Sequence, residues 1–285
     1  MKILITGAGT FIGNAICSYL IKKKNLIYGS YNSHKPSNLN KKIKLIKINL
    51  EKKIKFNKNF DLLIHCASRV PSDGINKKNY QFNINSLKKI IKICKNNKCK
   101  RIIFLSAMSV YGMEKKIIAK EEVYGKKLDY YGLSKKNSEE ILINFSKKEK
   151  IITTIFRLPG VIGKGSKEIF LKKINEKIRK KQKILIYNSE KKFNNVIEIN
   201  SLLKIIYRSI KKENINNIYN LGSKYPIKIK SIINILLRKY KINNNNNIIF
   251  KKKIIPNYII SIKKILKAGY KIDSTRKYIY KLTKI

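Results

Sequence analysis

The sequence predicts an α/β protein with a doubly wound parallel sheet and a smaller C-terminal lobe, and three observations predict it. A short apolar run, Lys2 to Ile5, ends in Thr6 and leads at once into Gly7, Gly9 and Gly13, followed by apolar residues at helical spacing. Further strand-like runs alternate with helix-like stretches, which implies right-handed crossovers between parallel strands. One of those runs, Phe60 to Ala67, is almost continuously apolar, as parallel strands are when helices cover both faces. At 285 residues the chain exceeds one average domain, which suggests a division into 1–157 and 158–285.

The opening strand, turn and helix define a first candidate site. Glycines there let backbone N–H groups approach a pyrophosphate, and the N-terminus of the following helix carries partial positive charge toward it. Asn25 to Tyr31 reads as the second strand. The carboxylate that would meet a ribose 2′-hydroxyl about 20 residues beyond such glycines is absent; the first carboxylate in the chain is Glu51. Asn32, Ser33, His34 and Lys35 stand there instead and can donate to a 2′-phosphate, which favours NADP over NAD. Lys35 also reads as one more surface lysine.

Lys44 to Ile48 is the third strand and Phe60 to Ala67 the fourth. A long helix over Tyr80 to Asn97 and a fifth strand at Arg101 to Ser106 follow. Another helix covers Tyr131 to Ser146, before a sixth strand at Ile151 to Phe156. Four residues apart on that last helix, Tyr131 and Lys135 share one face about 5–6 Å apart at Cβ. A neighbouring ammonium favours phenolate, so the spacing predicts a Tyr131 pKa lowered toward working pH and a role in proton transfer during hydride transfer. In a chain this rich in Tyr and Lys, the pair gains its meaning from position. It follows Leu105 to Gly112, which begins at the carboxyl end of the fifth strand, where such sheets place their ligands.

Lys and Arg number 66 against 16 Asp and Glu, a net charge of +50. Only seven of the cations are Arg, and the lysines travel with Ile and Asn throughout the chain, which reads as a solvated coat and speaks against a nucleic-acid patch. The four cysteines, Cys17, Cys66, Cys94 and Cys99, lack CxxC spacing and read as reduced and mostly buried. With two histidines and no metal-ligand spacing, no metal site is expected. There is neither a signal-like h-region nor a run of ~18 apolar residues, so a soluble cytoplasmic protein is expected. The Asn243 to Asn247 run reads as a low-complexity loop.

Taken together, TGAGTFIG (Thr6–Gly13), DLLIHCA (Asp61–Ala67), SAMSVYG (Ser106–Gly112), Tyr131 to Lys135, RLPGVIG (Arg157–Gly163), FNNVIEINSL (Phe193–Leu202) and YNLGS (Tyr219–Ser223) resemble the extended short-chain dehydrogenases/reductases. The likeness is to the NAD-dependent epimerase/dehydratase family acting on nucleotide sugars. It implies that Gly7, Gly9, Thr10, Phe11, Ile12 and Gly13 hold the pyrophosphate, Asn49 and Leu50 adenine, and Cys66, Ala67 and Ser68 the nicotinamide-side ribose, with Leu158 also at the cofactor. Tyr131 would be the acid/base, and Lys135 would tune it and bind the nicotinamide ribose. Asn83 and Asn195, with Ser109 and Tyr131, would meet the sugar. The C-terminal lobe would be the substrate lobe, with about 193–210 returning to the first domain, and the two long helices would form a homodimer.

Departures from the family pattern sharpen the expectations. Thr10 replaces a glycine, Asn49 an adenine-binding Asp and Gly160 an Asn, while Ala107 stands where the catalytic Ser or Thr belongs. Either Ser109 or Ser106 must then supply the hydroxyl, with Ser109 the better placed; losing such a contact outright can cost about 10²–10³-fold. Met108 and Ser109 occupy the positions of the acid pair found in family dehydratases, which disfavours dehydration. Reduction of a 4-keto sugar and 4-epimerisation remain, the former favoured. A third alternative is a catalytically silent member that senses NADP or binds RNA.

Overall fold

Ile3, Leu4 and Ile5 are fully buried because the first strand runs through the interior of a seven-stranded sheet, whose strands lie in the order Asn217–Asn220, Ile152–Leu158, Arg101–Ala107, Leu62–His65, Lys2–Thr6, Leu26–Tyr31 and Lys44–Lys47. In this computed structural model residues 1–54, 56–112, 117–166, 169–212, 215–243, 247–253 and 258–284 are described, so part of the asparagine run lies outside them. In chain order the elements begin with β1 (Lys2–Thr6), α1 (Phe11–Ile21), β2 (Leu26–Tyr31), β3 (Lys44–Lys47), β4 (Leu62–His65), α2 (Lys77–Asn96) and β5 (Arg101–Ala107). They continue with β6 (Ile117–Ala119), α3 (Tyr130–Glu149), β7 (Ile152–Leu158), β8 (Gly160–Ile162), α4 (Phe170–Arg179), β9 (Ile184–Tyr187) and β10 (Lys192–Phe193). Next come β11 (Val196–Glu198), α5 (Ile199–Lys212), β12 (Asn217–Asn220), β13 (Ile227–Lys228) and α6 (Ile229–Lys239). The last are β14 (Ile248–Lys251), β15 (Tyr258–Ile260), α7 (Lys263–Lys267) and α8 (Thr275–Leu282).

The chain forms two compact units. The first comprises Met1–Gly112, Tyr124–Arg157 and Leu203–Tyr219. Its strand β1 pairs in parallel with β2 and β4, as β2 does with β3 and β4 with β5. Strand order reverses between β1 and β4, the switch point above whose carboxyl ends an open α/β sheet binds ligands. Leu4, Leu63, Ile102 and Ile155 from the strands meet Leu87, Ile90 and Cys94 of α2 and Leu142 of α3 in one buried cluster. Each such side chain contributes roughly 1.5–3 kcal/mol by leaving water. Caps set the helix starts: Asn76 accepts from Asn79 N, so α2 starts at Lys77 where the apolar pattern predicts Tyr80, and Asp129 accepts from Gly132 N at the head of α3.

The second unit comprises Met113–Val123, Leu158–Leu202 and Asn220–Ile285. Parallel pairs join β8 to β11, β9 to β14 and β6 to β15, and β10 pairs antiparallel with β13. Two features of this division were not predicted. The segment around β6 belongs here, since Ile117–Ala119 finds its ladder partner in Tyr258–Ile260 and Asn220 binds both Ala119 O and the Glu121 carboxylate. The return to the first unit is Leu203–Tyr219 where 193–210 is predicted, because β11 is held by β8.

Candidate active site

Thr6 closes β1 by tying it to β4. Its Oγ1 accepts from Cys66 N at 3.1 Å and Ala67 N at 3.2 Å, and lies 2.8 Å from His65 Nδ1. Gly7 follows at φ 74°, a left-handed conformation that a side chain would strain. Gly13 is needed for proximity, since a Cβ there would stand 2.1 Å from Gly7 O. The hydroxyl of Thr10, which stands where the family pattern has a glycine, is the N-cap of α1, donating to Gly7 O at 2.8 Å and accepting from Gly13 N at 3.2 Å. This cradle fits a dinucleotide pyrophosphate: tight glycine approach and a capped helix N-terminus converge on it.

A cleft of about 260 Å³ opens above the turn. Of the predicted residues it brings together Gly7, Gly9, Thr10, Ser33, His34, Leu50, Ala67 and Ser68, with Asn32 beside them. Phe11, Ile12, Lys35, Asn49 and Cys66 do not line it. Phe11 and Ile12 are half-buried in the first turn of α1, Lys35 is exposed, and Asn49 Oδ1 accepts from Glu51 N at 2.8 Å to shape its own turn. Leu158 is buried at the end of β7, in the second unit. The cleft also gains residues that sequence reasoning missed, Arg69, Asp73 and Phe82, with the Arg69 guanidinium 5.0 Å from the Phe82 ring. Their one signal was an arginine, rare in this chain, immediately after the fourth strand.

On α3 the Lys135 ammonium lies 5.7 Å from the Tyr131 ring centroid and 5.0 Å from that of Phe104, and donates to Leu105 O at 3.1 Å. Burial pulls the Lys135 pKa from its ordinary 10.5 down to about 8, against the opposing pull of Cys66 and Glu139. The expectation for Tyr131 is corrected: burial, with added repulsion from Asp129 and Asp73, pushes its pKa up. Partial burial and the two carboxylates raise it, and Tyr131 is a protonated phenol at neutral pH. Asp73 lines the cleft, so the phenol stands within electrostatic reach of that wall.

The two candidate hydroxyls part company. Ser106 is buried and donates to the Glu139 carboxylate, which takes it out of contention as the substitute for the residue missing at Ala107. Ser109, half-buried in the turn after β5, makes no side-chain hydrogen bond among the described residues and keeps its proton available. Asn83 is engaged within the protein. Its oxygen accepts from Ser68 Oγ and Arg69 N, and its amide donates to Arg69 O and Ser134 Oγ, so every site of the amide is used to fix the loop after β4 against α3. Asn195 Oδ1, in the second unit, is buried without a hydrogen-bond partner.

Among the described residues no cluster of His, Cys, Asp or Glu could hold a metal, and no helix is long and apolar enough to cross a membrane. All four cysteines are free.

A model of the NAD dependent epimerase/dehydratase family matches residues 3–222. The chain belongs to this family. Among curated relatives of this family member, a dTDP-D-glucose 4,6-dehydratase of Dictyostelium discoideum is 26% identical over 260 residues, 79% of this chain and 59% of that protein. An uncharacterised UDP-glucose epimerase of Bacillus subtilis strain 168 is 29% identical over 57% of each chain. The family member therefore spans under two thirds of the length of both. Among solved structures, a UDP-glucose 4-epimerase of Thermotoga maritima aligns over 99% of this chain and 97% of its own, at TM-score 0.83 and 17% identity. A UDP-N-acetylglucosamine 4-epimerase of Methanobrevibacter ruminantium aligns over 99% and 96%, at TM-score 0.84 and 22% identity. At such identity these two carry the fold alone.

Proposed function

We propose that this protein transfers a hydride at C4 of a nucleotide sugar, in the direction that reduces a 4-keto sugar with NADPH. The observation that carries this reading is the Tyr131–Lys135 pair on α3, its ammonium anchored to Leu105 O at the end of β5, in the unit that also holds the glycine cradle. When bound, a nicotinamide ring supplies the hydride. The Gly7–Gly13 turn would hold the pyrophosphate, Leu50, Ala67 and Ser68 the adenine and ribose surfaces, and Ser33 and His34 the 2′-phosphate.

Tyr131 delivers a proton to the oxygen at C4. The phenol is protonated at rest, the state a reduction consumes, and the Lys135 ammonium beside its ring favours the phenolate that the transfer leaves. Lys135 orients the phenol and binds ribose, and the unengaged Ser109 hydroxyl donates to the same oxygen in place of the residue lost at Ala107. The rim after β2 carries no carboxylate, and Ser33 Oγ lies 2.9 Å from His34 Nδ1, two groups able to donate to a phosphate. Met108 and Ser109, where family dehydratases have an acid pair, disfavour dehydration.

A second reading, 4-epimerisation with NAD kept bound, is supported by the Bacillus subtilis relative, which is named a UDP-glucose epimerase. The two are separated by mixing purified protein with NADPH and a panel of 4-keto nucleotide sugars and following nicotinamide absorbance, with Tyr131→Phe as control. Consumption of NADPH supports reduction; interconversion of UDP-sugars without net consumption replaces it with epimerisation.

A further inference from the structure

We infer that Glu139, with Arg157, is a positioning residue for the hydride-transfer site, fixing α3 on β5 and presenting a carboxylate to the Lys135 ammonium; this rests on the role proposed above for Lys135. Glu139 and Arg157 side chains are both 0% exposed, with Nη2 to Oε2 at 2.8 Å and Nε to Oε1 at 3.1 Å. Ser106 donates to the same carboxylate, as does Tyr124 OH at 2.9 Å, and Arg157 Nη1 donates to Tyr111 OH at 2.7 Å. A fully buried ion pair is weak evidence for stability, because desolvation offsets its attraction. Its placement gives it a use.

Tyr131, Lys135 and Glu139 occupy three successive turns of one helix face. Two consecutive residues of β5 meet the last two of them: Leu105 O accepts from Lys135, and Ser106 Oγ donates to Glu139. This double tie sets the rotation and the axial position of α3, and through them where the Tyr131 oxygen stands. The groups facing Lys135 are His65 and Cys66 at the end of β4, the Phe104 ring on β5, and Tyr131 and Glu139 on its own helix. Burial lowers His65 to about 3 and pushes the Cys66 thiol up, so both are neutral near pH 8. Tyr131 is protonated, which leaves Glu139 as the anion of that set.

The test is the pH dependence of NADPH binding, read by nicotinamide fluorescence, beside that of kcat/KM. In the parent protein affinity falls as pH rises through the Lys135 pKa, and Lys135→Met lacks that limb. Glu139→Gln should move the limb down by about one pH unit, whereas Glu139→Asp, which keeps the charge, leaves it near the parent position. A pair that only holds the fold lowers Tm in both variants and leaves the limb in place, which overturns the inference. Should Glu139→Gln fail to fold because Arg157 is left buried and unpaired, the doubly neutral Glu139→Gln/Arg157→Gln protein must show a smaller downward shift, since the carboxylate one turn from Lys135 is lost together with a cation, and an unmoved limb overturns the inference. If no dinucleotide binds at all, the proposed function fails. A stability cycle over Lys135→Met and Glu139→Gln then still decides the inference, coupling supporting it and additivity refuting it.

Discussion

At Tyr131 partial burial and the carboxylates of Asp129 and Asp73 raise the phenol pKa, where the ammonium one turn away was expected to lower it. The phenol is therefore protonated in the resting protein, and Tyr131→Phe should lower turnover by about 10²–10⁴-fold while NADPH affinity, read by fluorescence titration, changes only a few-fold. Lys135 carries the complementary penalty. Its pKa falls from 10.5 to about 8 on folding, so the unfolded chain holds that proton more tightly and the folded chain loses stability by keeping it. The loss is full below pH 8 and is relieved as pH rises toward the ordinary lysine value. Lys135→Met should therefore be more stable than the parent near neutral pH by about 1–3 kcal/mol in denaturant melts, with the gap closing between pH 8 and about 10.5. An equal gap at every pH would assign the difference to packing instead of charge.

At the scale of elements the turn between β1 and α1 separates two kinds of requirement. Gly13→Ala places a methyl group 2.1 Å from Gly7 O and must open the turn, so dinucleotide binding should be lost and Tm lowered. Thr10→Ala removes only the helix cap, and should lower stability by about 1 kcal/mol while leaving dinucleotide affinity within a few-fold; Thr10→Gly should lose only a few tenths. The turn was legible in the sequence because glycine spacing after an apolar strand admits few structures. The Tyr131–Lys135 spacing was legible for the same local reason. What escaped sequence reasoning depends on contacts across long separations. Asn83 was expected at the sugar, but Ser68, Arg69 and Ser134 consume its amide. Ser106 was a candidate hydroxyl until Glu139, 33 residues on, claimed it. Arg157 looked like part of a motif after the sixth strand, and only folding shows its guanidinium sealed against Glu139 and Tyr111. Even the segment around β6 was assigned to the wrong unit, because the strand that pairs with it lies about 140 residues later.

For the whole molecule the governing quantity is a net charge of +50. Ion pairs neutralise little of it: the exposed ones include Lys95–Glu149, Lys228–Glu190 and Lys277–Asp273, and such pairs contribute about 0–1 kcal/mol each. With so few carboxylates the lysine coat repels itself, and compact packing of both units is opposed by that repulsion. Salt screens it over a length of about 10 Å at 0.1 M, so raising ionic strength from ~0.05 to ~0.5 M should raise Tm by several degrees. A polyanion would exploit the same charge. Single-stranded RNA should bind without sequence preference at low salt and lose most of its affinity by about 0.2 M, because binding driven by counterion release falls steeply with salt. A silent RNA-binding member would behave otherwise: its affinity would persist at that salt, favour one sequence or structure, and compete with the dinucleotide. Filter binding across a salt series, with and without NADPH, separates the two. Affinity that vanishes with salt and ignores NADPH places the charge in the solvated coat and leaves the chemistry to Tyr131.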